Sequence, residues 1–378
     1  PGGKPVEIAA WIVPGMADHC VALHLGWGRK KIGRVGVGAG FDVNPLRTTA
    51  AFDIASGATL AKTGNVYTIA VTQEHNSLEG RPIVREATLD ALRKDPKFTE
   101  KMVEHPKLLP LWEEWKYEGH KWGMVVDLNA CTGCNACVIA CQAENNIPTV
   151  GKEQVTRQRE MHWLRIDRYF SGKPESPEVV SQPVMCMQCE NAPCENVCPV
   201  NATSHSPEGI NEMTYNRCIG TRYCSNNCPY KVRRFNFFDY NRGTIRNEYA
   251  PNLLRKPISD MQKMQKNPDV TVRMRGVMEK CTYCIQRIEA ARIAAKREGD
   301  RPLADGEIRT ACQQTCPAQA IVFGDLNDPD SRVSQLHKLP RAYGMLDGLL
   351  NVKPRTRYLA KVRNLAPDLD HDTDPRKA

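Results

Sequence analysis

Apolar and polar positions alternate differently along successive stretches of the chain. In the first, Val6–Val13, Val21–Leu25 and Val66–Thr72 are short apolar or β-branched runs cut by Gly, Pro and Asn. That pattern predicts strands. Residues 84–118 are charged and helix-like, with Trp112, Trp115 and Trp122 at or just after their end, and predict a connector. Further on, Met161–Phe170 alternates as a strand does, while Cys284–Gly299 has apolar positions at helical spacing and a glycine stop. Residues 329–365 hold scattered helix signal, and Ala366–Ala378 are polar, of mixed charge, and expected to be mobile. The longest apolar runs, such as Ala136–Cys141 and Gly64–Thr72, fall far short of the ~18 residues of a membrane-spanning helix.

Gly33–Gly40 is glycine-rich, but the turn-like Phe41–Arg47 follows it rather than a helix. Tight turns explain it better than a phosphate cradle. With 378 residues, 41% of them apolar, the chain can bury more than one core. The net charge of +9 is spread along the chain, and no Lys/Arg run interleaved with aromatics predicts a nucleic-acid partner. The chain opens on Pro1 and is expected to begin inside a longer polypeptide.

Candidate chemistry resides in cysteine. One of the 16 is Cys20, an isolated residue with no assigned role and expected to be a small buried side chain. The rest form four groups: Cys131-Cys134-Cys137-Cys141, Cys186-Cys189-Cys194-Cys198, Cys218-Cys224-Cys228, and Cys281-Cys284 followed later by Cys312-Cys316. Cys198, Cys228 and Cys316 each precede proline. Three cysteines at two-residue spacing wrap a loop around one iron–sulfur cubane. The fourth, three residues on, is expected to start a helix and to serve a different cluster. Zinc would need two CxxC pairs and gives no reason for the third cysteine or for Cys-Pro. Thiolate-bound clusters are anionic, so the basic residues have a use as compensation.

The third group departs from the pattern. Thr221 stands where a second cysteine would, and a hydroxyl is a hard, poorly ionised ligand beside soft thiolate. A three-iron cluster is therefore expected there, against a four-iron cluster whose last iron carries water, hydroxide or the Thr221 oxygen. Lys231, Arg233 and Arg234 in Tyr230–Phe238 could balance cluster charge or dock a partner, or form a solvated basic strand. No catalytic residue is expected: there is no catalytic triad, carboxylate dyad or P-loop. The nine histidines share no motif.

Residues 120–325 resemble the four-cluster electron-transfer subunits that partner molybdopterin enzymes such as polysulfide reductase, formate dehydrogenase and nitrate reductase. The resemblance pairs the first group with the fourth and the second with the third. It implies one [4Fe-4S] cluster on Cys131, Cys134, Cys137 and Cys316, and a second on Cys141, Cys281, Cys284 and Cys312. A third falls to Cys186, Cys189, Cys194 and Cys228. A [3Fe-4S] cluster falls to Cys198, Cys218 and Cys224. Before these groups, Gly40–Arg47 and Val71–Glu86 resemble the end of a molybdopterin-enzyme-like domain. With Thr221 in Cys218–Arg234, that fusion is similar to the iron–sulfur subunit of alternative complex III, a quinol-oxidising membrane complex.

The implied fold is α+β: a ferredoxin-like double 2x[4Fe-4S]-type domain at 116–328, preceded by a β-rich, cofactor-less segment at 1–115 and followed by an extension at 329–378. Implied partners are a polytopic quinol-binding membrane subunit, a multihaem cytochrome c and the rest of the molybdopterin-like subunit. The chain would be the C-terminal portion of that subunit, peripheral to the membrane, on its periplasmic face, with no molybdenum. It would relay electrons in a respiratory or photosynthetic chain. The [3Fe-4S] cluster would receive them from quinol. The alternatives are the electron-transfer subunit of an active molybdopterin enzyme of the polysulfide reductase type, and a scaffold in which cofactors only stabilise the fold.

Overall fold

A computed structural model describes residues 3–33, 35–106, 113–241 and 259–364. In chain order its elements are β1 (Glu86–Thr88), α1 (Leu89–Lys94), α2 (Phe98–Lys101), β2 (Trp122–Asp127), α3 (Ala136–Glu144), α4 (Gly151–Thr156), β3 (Arg165–Lys173) and β4 (Ser176–Val184). Then come α5 (Pro193–Asn196), β5 (Thr203–His205), β6 (Asn211–Met213), α6 (Tyr223–Asn226), β7 (Arg234–Phe235), α7 (Asp260–Lys263) and β8 (Met278–Glu279). The last are α8 (Ile285–Arg297), α9 (Ala311–Gln314), β9 (Ile321–Asp325), α10 (Arg332–His337), β10 (Ala342–Tyr343), β11 (Thr356–Leu359) and β12 (Lys361–Arg363). They fall into two units, one of residues 1–72, 149–160 and 173–177, the other of residues 73–148, 161–172 and 178–378.

The second unit is organised on a four-stranded sheet of order β10-β11-β2-β9. Strand β2 runs parallel to β11 and antiparallel to β9, with Val125 opposite Val322. Its run Trp122–Val126 is buried throughout, because both faces are covered. Alternation separates the faces. Met124, Val126, Phe323 and Tyr358 join the core that also holds most of the buried cysteines. On the other face Val125, Val322 and Leu359 pack with Val333 of α10. Each such side chain, fully buried, contributes about 1.5–3 kcal/mol. The sheet thus gives the cysteine loops a dry floor.

Helix α8 matches the expectation for 284–299: Ile288 and Ala295 are buried, and Gly299 ends it at φ +92°. The strand expected at 161–170 begins later, at Arg165. Residues 84–118 give the short strand β1 and only two short helices, α1 and α2, with 107–112 outside the described residues. Thr88 caps α1, its Oγ1 accepting from the Ala91 N–H at 3.1 Å, and Asp95 ends it before Pro96, which disfavours helix in the residue before it. The extension 329–365 forms α10 and strands β10–β12, and residues 366–378 lie outside the described part.

The first unit corrects the β-rich expectation. Val6–Val13, Val21–Leu25 and Val66–Thr72 form no strand among the described residues. Trp11 is 73%, Ile12 91% and Val66 96% exposed. β-branched composition produces a strand only where a neighbour takes its backbone hydrogen bonds and a core takes its side chains. These runs have neither within the unit. Around the glycine-rich stretch the chain makes turns, with the Gly28 N–H donating to the Ala39 carbonyl at 3.1 Å.

Candidate functional site

Each cysteine group is shaped by the same two backbone devices. The residue just before the second ligand position has positive φ in all four groups: Gly133 +68°, Gln188 +49°, Gly220 +76° and Tyr283 +56°. Non-glycine residues seldom adopt this conformation. Here it turns the N–H inward: Tyr283 N–H donates to Cys281 Sγ at 3.5 Å, and Gly133 N–H to the Cys131 sulfur. Asn135 and Arg222, one residue after the second position, match at +65° and +63°. The loop 218–224 therefore follows the path of 131–137, with Thr221 at the counterpart of Cys134.

The second device is the Cys-Pro turn. Asn201, Lys231 and Gln319, each three residues after its cysteine, have φ of +48°, +52° and +49°. The next N–H donates back to sulfur, from Ala202 to Cys198 at 3.1 Å and from Ala320 to Cys316 at 3.3 Å. Val232 does the same for Cys228. The first group lacks the proline, so α3 continues past Cys141, and the Asn145 side chain donates to Cys141 Sγ at 3.6 Å instead. The expectation that the fourth cysteine starts a helix is corrected here. The third cysteine lies inside each short helix (Cys194 in α5, Cys224 in α6) and the fourth follows it, because proline cannot continue the turn. Cys141 instead sits within α3.

The thiols converge in sets. Burial pushes Cys137 up to about 12, and the neighbouring Cys131, Cys134 and Cys316 add to the shift. Cys141 lies well above its ordinary value, from burial and then from Cys281, Cys284 and Cys312. Those four line an enclosed cavity with Met124 and Trp163. Cys189 is raised by burial, then by Cys186, Cys228 and Cys194. Cys224 is raised by burial and by Cys218 and Cys198, while Arg233 opposes the shift. A second cavity is lined by Cys198, Cys218 and Cys224 with Thr221.

Among the described residues no three His, Cys, Asp or Glu side chains close on a single metal ion. Each set instead surrounds a space of its own. Buried thiols that raise one another's pKa cannot ionise unless positive charge lies among them, and inward N–H groups aimed at sulfur favour the thiolate. Soft sulfur donors in that arrangement fit iron–sulfur clusters.

The sets also follow one another. Cys312 senses Cys137, Cys281 senses Cys186, and the Arg233 guanidinium bears on both Cys194 and Cys224. The middle of this series is the most enclosed, with Cys141, Cys186, Cys189, Cys194, Cys228, Cys284 and Cys312 all buried. Its ends open to solvent at Cys134 and at Thr221. Cys20 joins no set and is exposed, contrary to the expected burial.

Of the basic segment after the third group, Arg233 is 4% and Arg234 7% exposed, so the solvated-strand reading does not hold. The inward role of Asn145 escapes the cysteine pattern. Its signal is an asparagine four residues after the one fourth cysteine that lacks a following proline.

Models of the 4Fe-4S dicluster domain match residues 130–202 and 178–242. The chain is 42% identical over 260 residues to the menaquinone reductase iron-sulfur cluster-binding subunit of Nitratidesulfovibrio vulgaris, covering 67% of this chain and 95% of that one. It is 34% identical to the Hdr-like menaquinol oxidoreductase iron-sulfur subunit 1 of Archaeoglobus fulgidus, covering 58% and 76%. A polysulfide reductase polypeptide of Wolinella succinogenes is 31% identical, with 57% and 82% covered. Cysteine loops, dicluster domains and extent of likeness agree: the chain belongs to the iron–sulfur cluster-binding electron-transfer subunits of the menaquinone reductase and polysulfide reductase type.

Proposed function

We propose that the chain is the electron-relay subunit of a quinol-oxidising membrane complex of the alternative complex III type. It would hold three [4Fe-4S] clusters and one [3Fe-4S] cluster. The observation that carries the reading is the shortfall of one thiol: fifteen cysteines in four sets, with Thr221 on the loop position that Cys134 holds in the first. The ligand sets would be Cys131, Cys134, Cys137 and Cys316; Cys141, Cys281, Cys284 and Cys312; Cys186, Cys189, Cys194 and Cys228; and, for three irons, Cys198, Cys218 and Cys224.

When bound, the clusters would supply one-electron transfer. The chain's residues bury the inner sulfurs, donate N–H groups to them and exclude water. The exposed ends at Cys134 and Thr221 suit exchange with partners. The partners would be a quinol-binding membrane subunit, a multihaem cytochrome c and the remainder of a molybdopterin-like subunit to which residues 1–115 belong. The periplasmic face of the membrane is the proposed location. Among the described residues no helix is long and apolar enough to cross a membrane. Similarity to two proteins named for menaquinone chemistry supports the quinol side of the reading.

Thr221→Cys is the test. The oxidised wild-type protein should show a three-iron paramagnetic signal of about one spin per chain. The variant should lose it, gain one iron per chain and be reduced more slowly by quinol. A silent oxidised wild type refutes the three-iron assignment, and unchanged turnover in the converted variant refutes reception of electrons there. The similarity to a polysulfide reductase polypeptide supports a second reading, service to an active molybdenum subunit. Stoichiometric molybdenum or tungsten in the purified complex would establish it, and multihaem cytochrome without either would exclude it.

A further inference from the structure

Three buried arginines of this protein pair with carboxylates. Arg85 pairs with Asp347, Arg273 with Glu279 at 3.2 Å and Arg355 with Glu190 at 2.7 Å. Arg233 is equally buried, 4% exposed, yet no carboxylate pairs with it among the described residues. Its Nη1 donates to Cys194 Sγ at 3.2 Å and Asn211 Oδ1 at 3.4 Å. Its Nη2 donates to Thr203 Oγ1 at 2.7 Å and Met213 Sδ at 3.4 Å. The Cys224 sulfur is also within its hydrogen-bonding reach, and Nε has no partner among the described residues.

A guanidinium stays charged in any protein, and an uncompensated buried charge is costly. The negative charge that balances Arg233 must therefore come from the sulfurs around it. Those belong to two different sets: Cys194 to the one with Cys186, Cys189 and Cys228, and Cys224 to the one with Cys198 and Cys218. One fixed cation faces both. Oxidised and reduced clusters differ by one negative charge, so a nearby cation stabilises the reduced form and raises the potential. The planar fork allows contact on two sides at once, which a single ammonium cannot reproduce.

We propose that Arg233 is a positioning residue that raises the potentials of the two adjacent clusters together, coupling the thiol-deficient cluster to its neighbour. The proposal rests on the cluster assignment above. The two fail distinguishably, because cluster loading is measured first: if wild-type protein shows no signal attributable to either set, the assignment falls.

The experiment is a redox titration of the purified complex followed by paramagnetic resonance, for wild type, Arg233→Gln, Arg233→Lys and Arg85→Gln. Arg85 is a buried arginine with no sulfur among its partners. In Arg233→Gln both midpoint potentials should fall. In Arg233→Lys the two signals should separate, one keeping most of its potential and the other falling, since the ammonium sits against one sulfur only. Arg85→Gln should leave both potentials in place even where it lowers thermal stability. If Arg233→Gln does not retain clusters, Arg233→Lys decides alone. Unchanged midpoints in every Arg233 variant that carries clusters would overturn the proposal, as would equal shifts in Arg85→Gln.

Discussion

Replacing Gly220 by alanine should damage the third cysteine loop more than Gly133→Ala damages the first, although the two glycines occupy equivalent positions. Both have positive φ, +76° and +68°. The left-handed penalty for a Cβ is about 1–2 kcal/mol at each. Gln188 and Tyr283 adopt the same conformation in the other loops, so that penalty alone is tolerable. The surroundings differ. A Cβ on Gly133 meets the Ser181 Oγ at 2.6 Å, a side-chain atom that can rotate. A Cβ on Gly220 runs into the backbone carbonyl of Gly276, with the Phe235 ring at 3.1 Å behind it. Backbone must then move, and overpacking of this kind costs about 1–3 kcal/mol. That figure is the expected difference between the variants, or about 1–4 °C in apparent melting temperature for a chain of this length. Thermal melts under anaerobic conditions measure it, with paramagnetic resonance reporting whether the signal from the Cys198, Cys218 and Cys224 set is lost selectively. Equal melting temperatures for the two variants, with that signal intact in both, would refute the reasoning.

Two stability measurements address the floor beneath the loops. Burial, with Arg357 nearby, lowers the His337 pKa to about 4 from 6.5. The unfolded chain therefore takes up a proton on this residue between those values while the folded chain does not. Stability should fall as pH drops from about 6.5 to about 4, by about 3 kcal/mol at most from this group, and His337→Gln should flatten the slope; an unaltered slope in denaturant titrations would count against it. Arg85→Met strands Asp347 and the Thr99 carbonyl, which accepts from Arg85 Nη1 at 3.0 Å. The loss should be about 3 kcal/mol, the low end for a broken buried pair because Asp347 keeps some water. Arg85→Met with Asp347→Asn should recover part of it, and a strictly additive double mutant would show that no coupling exists.

How far sequence reached depended on whether the governing physics was local. Ligand chemistry is local: spacing alone separated four groups and marked Thr221, and the structure brings those thiols together across as many as 185 positions, Cys131 with Cys316. Helix α8 was legible for the same reason, since its apolar stripe and glycine stop act within the element. The strands expected in the first 72 residues were not, because pairing partners decide strands and propensity cannot supply them. The connector helix was cut short by Pro96, whose effect on Asp95 was readable but was outweighed by the charged pattern around it. The basic segment stayed ambiguous for a different reason. Nothing in the order Lys231-Val232-Arg233-Arg234 says which side chain turns toward sulfur; that follows from the positive φ at Lys231 after the Cys-Pro turn.

The position of the missing thiol then has a physical reason independent of electron flow. Dropping a ligand inside the protein would leave a buried hydroxyl beside sulfur without a partner, at a cost of about 1–3 kcal/mol, together with unfilled volume. Cys189 and Cys284 hold the second loop position in their groups and are both buried. Cys134 and Thr221 hold the same position in the other two, and both are exposed. At an exposed corner the hydroxyl is hydrated and no cavity forms, so a cysteine can be given up there at little cost to folding. The two ends of the series are thus the places where ligand number is free to vary, and they are also the places open to a partner. On the proposed cluster assignment, a change in charge at Thr221 would reach the interior through Arg233, which touches sulfurs of both the set with one thiol fewer and its four-thiol neighbour. Variation tolerated by the fold and the proposed coupling would then meet at one corner of the chain.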